Sequence, residues 1–299
     1  VRRLLKLGGI ATALALIVWP IPGLTQTPPP SGPVVRVAVL SFGSAPIAIR
    51  VESAIGKAAK GAPAITVVDP DLARAAARGA GYTGSLNLTT QEAVDLGSAI
   101  GCDFYFLGDV QTLRRSPAED QVYLESYATI FIVSARTGRL ILWDRQTQSA
   151  PTANKAEELL LAEVDRTIPR YLTAVRDAAN AERAQRFAAI GHDLTVLDET
   201  PADNSPDADG FRPPAPYRRV SPAYTAAANA AEVIATVDAQ VDLDIEGEVQ
   251  DVQIARWAGF GLDDAVTTAI RQMHFRPAMR NRIPFPIRVL LRYNFRKPK

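Results

Sequence analysis

The chain has one cysteine, Cys102, so it forms no internal disulfide. Cys102 sits in an apolar run, where a thiol packs as a small inert hydrophobe. The two histidines, His192 and His274, lie far apart with no cysteine near either, so zinc-ligand spacing is missing. Net charge is almost nil: 33 Lys and Arg against 32 Asp and Glu give +1. A nucleic-acid binder would carry a basic excess, so nucleic acid is not the expected partner. No nucleophile elbow, phosphate loop or metal motif occurs. Gly79-Ala80-Gly81 and Gly8-Gly9 lack the lysine and the spacing of a phosphate loop. No catalytic residues, no metal ligands and no cofactor are expected. An enzyme whose site assembles from distant residues is the rival class, and a ligand pocket between two domains is a third reading.

What is present points to export and two domains. The length of 299 residues and 47% hydrophobic content suit about two domains, each able to bury a core. Arg2, Arg3 and Lys6 head an apolar run from Leu7 to Trp19, broken by Pro20, Pro22 and Gly23. That order describes a secretory signal over residues 1–25, cleaved near Thr25, which exports the chain. The alternative is an uncleaved inner-membrane attachment through residues 4–24, facing the periplasm. Residues 26–33 are a proline-rich extended spacer.

Residues 34–190 read as an α/β domain with a mixed sheet. Val34–Phe42 is a nearly continuous valine-rich run, the mark of a buried strand. Helical patterns follow near 47–60 and 71–78, with a short strand at 64–68 between them. Thr89-Thr90-Gln91-Glu92 has the capping-box pattern, and Gly101 suits the end of the helix it opens. Strands are expected at 103–110, 122–135 and 139–148, the last two joined at Arg136-Thr137-Gly138. A helical pattern spans 153–189, and Pro169 is expected to kink or split it. The run VVRVAVLSF, the unit LGSAIGCDFYFLGDV (96–110) and the ending SARTGRLILWD (134–144) together resemble the N-terminal domain of the TolB family and curli-secretion-type envelope proteins. The resemblance implies an α/β fold over residues 34–148.

Residues 191–216 mix acids, prolines and small residues, which cannot bury enough surface to offset ordering the chain. They read as a linker or, alternatively, as an extended brace using Leu194, Val196 and Leu197. Residues 217–299 then form a second domain. Val233 to Ile245 alternates apolar and polar, Gly247 turns the chain, and Val249, Val252 and Ile254 mark the return strand. Leu262, Ala265, Val266, Ala269, Ile270 and Met273 recur at helical spacing, with Asp263 and Asp264 in the first turn. Ile287, Val289, Leu291, Tyr293 and Phe295 alternate along a closing strand. The order is strand, strand, helix, strand, and the whole chain is α+β or α/β.

This domain resembles the C-terminal domain of the TonB family. The resemblance rests on Pro222-Ala223-Tyr224, on Glu246-Gly247, and on Leu262-Asp263 followed by Ala265, Ala269, Phe275 and Pro277-Ala278. Thr225 stands where the family usually has proline, and Ala258-Gly259 after Trp257 stands where it has serine-glycine. Tyr224, Gly247, Gly259, Leu262, Asp263, Phe275 and Pro277 are therefore expected as fold determinants. The resemblance implies a periplasmic protein that binds outer-membrane or other envelope proteins by β-strand addition. It also implies either energy transduction to outer-membrane transporters or a non-transducing scaffold role. By position, the receiving edge is the strand carrying Arg288, Leu290, Arg292, Asn294 and Arg296. Its outward arginines could read acidic partner residues, or they could simply keep an exposed edge from aggregating.

Overall fold

The computed structural model describes residues 34–116, 122–189, 198–199 and 210–297. The expected signal or anchor, the spacer and the proposed brace at 194–197 lie outside the described residues. Pro33–Lys299 forms one compact unit.

The first half is built on a five-stranded mixed sheet. Its strands are β1 (Val35–Val39), β2 (Ile65–Val67), β3 (Phe104–Arg115), β4 (Tyr123–Ser134) and β5 (Leu140–Ala150), in the order β2-β1-β3-β4-β5. β1 runs parallel to β2 and β3, while β3, β4 and β5 form an antiparallel meander. Side chains of a strand alternate between faces, so two cores result. On one face Val37, Phe106 and Ile130 pack against α1 (Pro46–Gly61) and α4 (Ala153–Ala189). On the other face Leu40, Tyr105, Leu107, Phe131 and Val133 meet α2 (Pro70–Gly79) and α3 (Thr90–Ile100). The capping box forms as expected: the Thr89 hydroxyl accepts from the Glu92 amide at 3.1 Å, and Glu92 accepts from the Thr89 amide at 2.7 Å. Cys102 is half-buried rather than fully buried, and desolvation pushes its thiol up to about 12, which leaves it unreactive.

Pro169 does not split α4, which is a single 37-residue helix. Leu160, Val164, Ile168, Leu172 and Val175 are buried on both sides of the proline. That seam of helix-spaced contacts with the sheet outweighs one forfeited backbone bond.

The second half holds a four-stranded sheet, β10-β9-β14-β6. Its members are β9 (Ala235–Leu243), β10 (Val249–Arg256), β14 (Ile287–Phe295) and the two-residue β6 (Asp198–Glu199). Helix α6 (Leu262–Arg271) covers its apolar face through Leu262, Val266, Ala269 and Ile270. Strand, strand, helix, strand is therefore the observed order of the main elements. Small elements surround this frame: β7 (Phe211–Arg212), β8 (Ala215–Arg218), α5 (Ala226–Ala230), β11 (His274–Arg276), β12 (Met279–Arg280) and β13 (Ile283–Pro284). Three of these strands revise the expected linker, since β6, β7 and part of β8 fall within 191–216 and pair with β14, β12 and β11. Backbone pairing holds them, which a composition-based reading does not register.

Most of the expected fold determinants are explained by contacts. Leu262 and Phe275 are buried. The Tyr224 hydroxyl donates its one proton to the Val233 carbonyl at 2.8 Å, with the Ala228 carbonyl at 3.1 Å sharing it, and its ring meets Phe295 at 6.4 Å. Gly247 has φ +84°, and a Cβ there would collide with the Phe275 carbonyl. Thr225 has its own role: its hydroxyl caps α5 by accepting from the Ala228 amide at 3.1 Å and donates to the Phe260 carbonyl at 2.6 Å. Phe275→Ala, by deleting a ring that is 2% exposed, should cost about 3–5 kcal/mol in denaturant unfolding; a loss below about 1 kcal/mol would place the ring outside this core.

Candidate functional site

Two places in the second half combine exposed bonding capacity with ordered polar groups: the outer edge of β14 and the junction with the first half. β14 pairs with β9 along its whole length, from Ile287↔Leu243 to Phe295↔Ala235. On its other side β6 covers only Ile287 and Arg288. From Val289 to Phe295 no strand among the described residues pairs with that edge. Unpaired strand groups of this kind are what an added strand would bind.

The even-numbered residues of β14 share the face away from α6, but they do not stand free. Register places Arg288 opposite Asp242 and Arg292 opposite Asp238. Both pairs are two-pronged, at 2.6 and 2.8 Å for the first and 2.7 and 3.0 Å for the second. Asp238 is 3% exposed and also receives Arg256 Nε at 3.3 Å. The Arg292 guanidinium, helped by Arg256 and opposed by desolvation, holds its carboxyl below the ordinary value. Asn294 accepts from the Thr236 hydroxyl at 2.9 Å. Leu290 is 56% exposed between the two ion pairs, and Arg296 is exposed just past the strand. Arg288 and Arg292, for which partner reading and protection of an exposed edge both stand as readings, are each engaged by a carboxylate on β9. What the edge presents is backbone, with Leu290 as its exposed apolar side chain.

The junction was not anticipated. Between β10 and α6, the loop Trp257-Ala258-Gly259-Phe260-Gly261 enters the five-stranded sheet. Trp257 is 1% exposed, its ring lies 5.6 Å from Phe131, and its Nε1 donates to the Gly138 carbonyl at 3.0 Å. Phe260 meets Trp143 at 5.2 Å. Gly259 has φ +73°, and a Cβ there would come within 2.6 Å of Phe131. Asn87, on the loop before α3, locks the same seam. Its amide donates to the Thr236 and Trp257 carbonyls and accepts from the Thr236 amide at 3.1 Å. Asp263, expected as a fold-motif residue, organises the loop by accepting from the Ala258 and Gly259 amides at 2.8 and 2.9 Å. The extra Trp257 beside two glycines was the available sequence signal; Asn87 carried none. A cleft of about 330 Å³ lies beside this junction, lined by Leu142, Trp143, Val252, Ile254, Asp263 and Thr267 among others. Among the described residues no group of His, Cys, Asp or Glu is arranged to hold a metal ion.

Residues 220–296 match the family described as Gram-negative bacterial TonB protein C-terminal. No curated protein matches the chain. Among solved structures, the TonB C-terminal domain of Pseudomonas aeruginosa aligns at 18% identity over 35% of this chain and 98% of that one, with a TM-score of 0.26. Lipoprotein GNA1162 of Neisseria meningitidis aligns at 13% identity over 46% of this chain and 99% of that one, with a TM-score of 0.31. The PelC dodecamer of Paraburkholderia phytofirmans aligns at 11% identity over 49% and 91%, with a TM-score of 0.29.

Desolvation pushes the Asp263 carboxyl up to about 6 from its ordinary 3.8, against the two amide bonds that favour the charged form. Between those values the folded protein holds a proton that the unfolded chain has released. The stability from this group is thus fully present below pH 3.8 and lost as pH rises through about 6, a fall of about 3 kcal/mol. Asp238 works in the opposite sense, so the readout is a difference curve. Unfolding free energy of the native protein minus that of Asp263→Asn should decline across this window. A flat Asp263 curve would show that the carboxylate is well solvated.

Proposed function

We propose that this chain is a periplasmic, non-enzymatic partner-binding protein of the cell envelope. It holds another envelope protein, an outer-membrane protein being the leading kind, by strand addition along Val289–Phe295 of β14. The edge of that strand, unpaired by any strand among the described residues, carries the reading, and the family match over residues 220–296 supports it. Backbone bonds would supply affinity, and the exposed Leu290 would supply an apolar contact.

A scaffold role is favoured over energy transduction by one observation. The buried Trp257 seats the TonB-like segment on the five-stranded sheet, in a hydrophobic core shared by both halves. A module held against a folded body is suited to positioning a partner. Transduction would need attachment through residues 4–24, which lie outside the described residues. Among the described residues no helix is long and apolar enough to cross a membrane.

A photoreactive phenylalanine analogue at Leu290 should cross-link to an envelope protein in living cells. The same analogue at Leu159, exposed on α4, should not. Equal labelling at the two positions would remove the edge as the binding site. A Leu290 adduct that persists after collapse of the proton gradient supports the scaffold, and one that disappears supports transduction.

A further inference from the structure

The charge of the chain is balanced overall but sharply segregated at its C-terminal end. No Asp or Glu follows Asp264, and none lies between Gly210 and Ala231. The fold brings these two acid-free stretches together. β8 pairs with β11, setting Arg218 opposite His274 and Ala215 opposite Arg276. β7 pairs with β12, setting Arg212 opposite Met279, and β12 turns through Asn281-Arg282 into β13. The Asn281 amide donates to the Gly210 carbonyl at 3.0 Å, tying that turn to the start of β7. Because Phe275 points into the core, its neighbours His274 and Arg276 point outward.

Arg212, Arg218, Arg276 and Arg282 are exposed, and none makes an ion pair with a described residue. Between them stand two exposed apolar groups: Ile283, 68% exposed beside the turn, and Tyr217, 62% exposed and stacked on His274 at 5.9 Å. Among the described residues, the nearby acids are already engaged or lie at the margin. Glu248 contacts His274 at 3.1 Å, Asp244 is bonded within its own turn to the Glu246 and Glu248 amides, and Glu246 sits in that turn. Like charges left unpaired repel one another and carry a standing electrostatic cost unless something anionic covers them.

We propose that this arginine face, built from β7, β8, β11 and the β12–β13 turn, is a peripheral contact for the phosphate headgroups of an anionic membrane leaflet. Guanidinium forks match phosphate oxygens, and long arginine stems lie along an apolar boundary while their heads stay wet. Ile283 and Tyr217 suit the zone between headgroup and acyl chain, which an acidic protein surface would not require. Arg212 and Arg282 line an open cleft of about 660 Å³ with Phe211, Met279 and Asn281, while Arg218 and Arg276 do not line it; four arginines spread beyond one cleft fit a field of mobile headgroups better than one small ligand. This face is built from strands other than β14, so a membrane and a partner protein need not compete for it.

The test is co-sedimentation of the full chain with phosphatidylcholine vesicles that contain or lack phosphatidylglycerol. The wild type should bind the anionic vesicles more tightly and lose that preference as salt is raised. Each arginine near such a surface contributes about fivefold in affinity. The triple variant Arg212→Glu/Arg276→Glu/Arg282→Glu should therefore bind at least about tenfold more weakly, with an unchanged circular dichroism spectrum and an intact cross-link at Leu290. Should the triple variant fold poorly, Arg282→Glu alone at the turn should still lose about fivefold. Insertion through residues 4–24 would be shared by wild type and variants, so the difference between them isolates the arginine face. Equal binding of wild type and folded variants, or a wild type indifferent to phosphatidylglycerol, overturns the proposal.

Discussion

The indole of Trp257 is the contact on which the arrangement of the two halves depends. A side chain of this size, 1% exposed, removes a large apolar area from water, and its single polar atom finds the Gly138 carbonyl. The contact is demanding on both sides. Gly259 must lack a side chain for the loop to lie against Phe131, and Asp263 must accept from the Ala258 and Gly259 amides to hold the loop's shape. Asn87 satisfies the backbone at the seam, where Thr236 and Trp257 would otherwise bury unpaired groups. Burial of Asp263, with its raised pKa, is the electrostatic cost of this docking.

With the junction in place, the exposed parts of the second half divide by role. β14 is anchored on one side by β9 and by two-pronged arginine–aspartate pairs, which hold the strand in register, while on the other side no strand among the described residues pairs with Val289–Phe295. The arginines of β14 thus stiffen the edge, whereas those of β7, β8 and β11 are exposed and make no ion pair with a described residue. One residue type serves two purposes here, and what separates them is whether the opposite strand supplies a carboxylate.

Much of this fold is legible in the sequence, because its signals are local. Alternation along 233–245 and 287–295, the capping box at Thr89 and the turn at Gly247 each state a structure within a few residues. What is not legible depends on partners distant in the chain. Ion pairs such as Arg292 with Asp238 follow from cross-strand register, which neither strand states alone. The short strands at 198–199, 211–212 and 215–218 are held by backbone bonds that carry no side-chain pattern. Pro169 reads as a helix breaker until the buried seam on both sides of it is known. The docking of Trp257 was hidden in a departure from the family pattern, since a tryptophan before Ala258-Gly259 could equally have been an exposed aromatic.

Calorimetric unfolding shows whether the two halves form one cooperative unit through Trp257. The account predicts a single transition for the native protein, with calorimetric and van't Hoff enthalpies in agreement. It predicts two separated transitions for Trp257→Ala, the seam being lost while each half keeps its own sheet. Two transitions in the native protein, or an undisturbed single transition in Trp257→Ala, would contradict it.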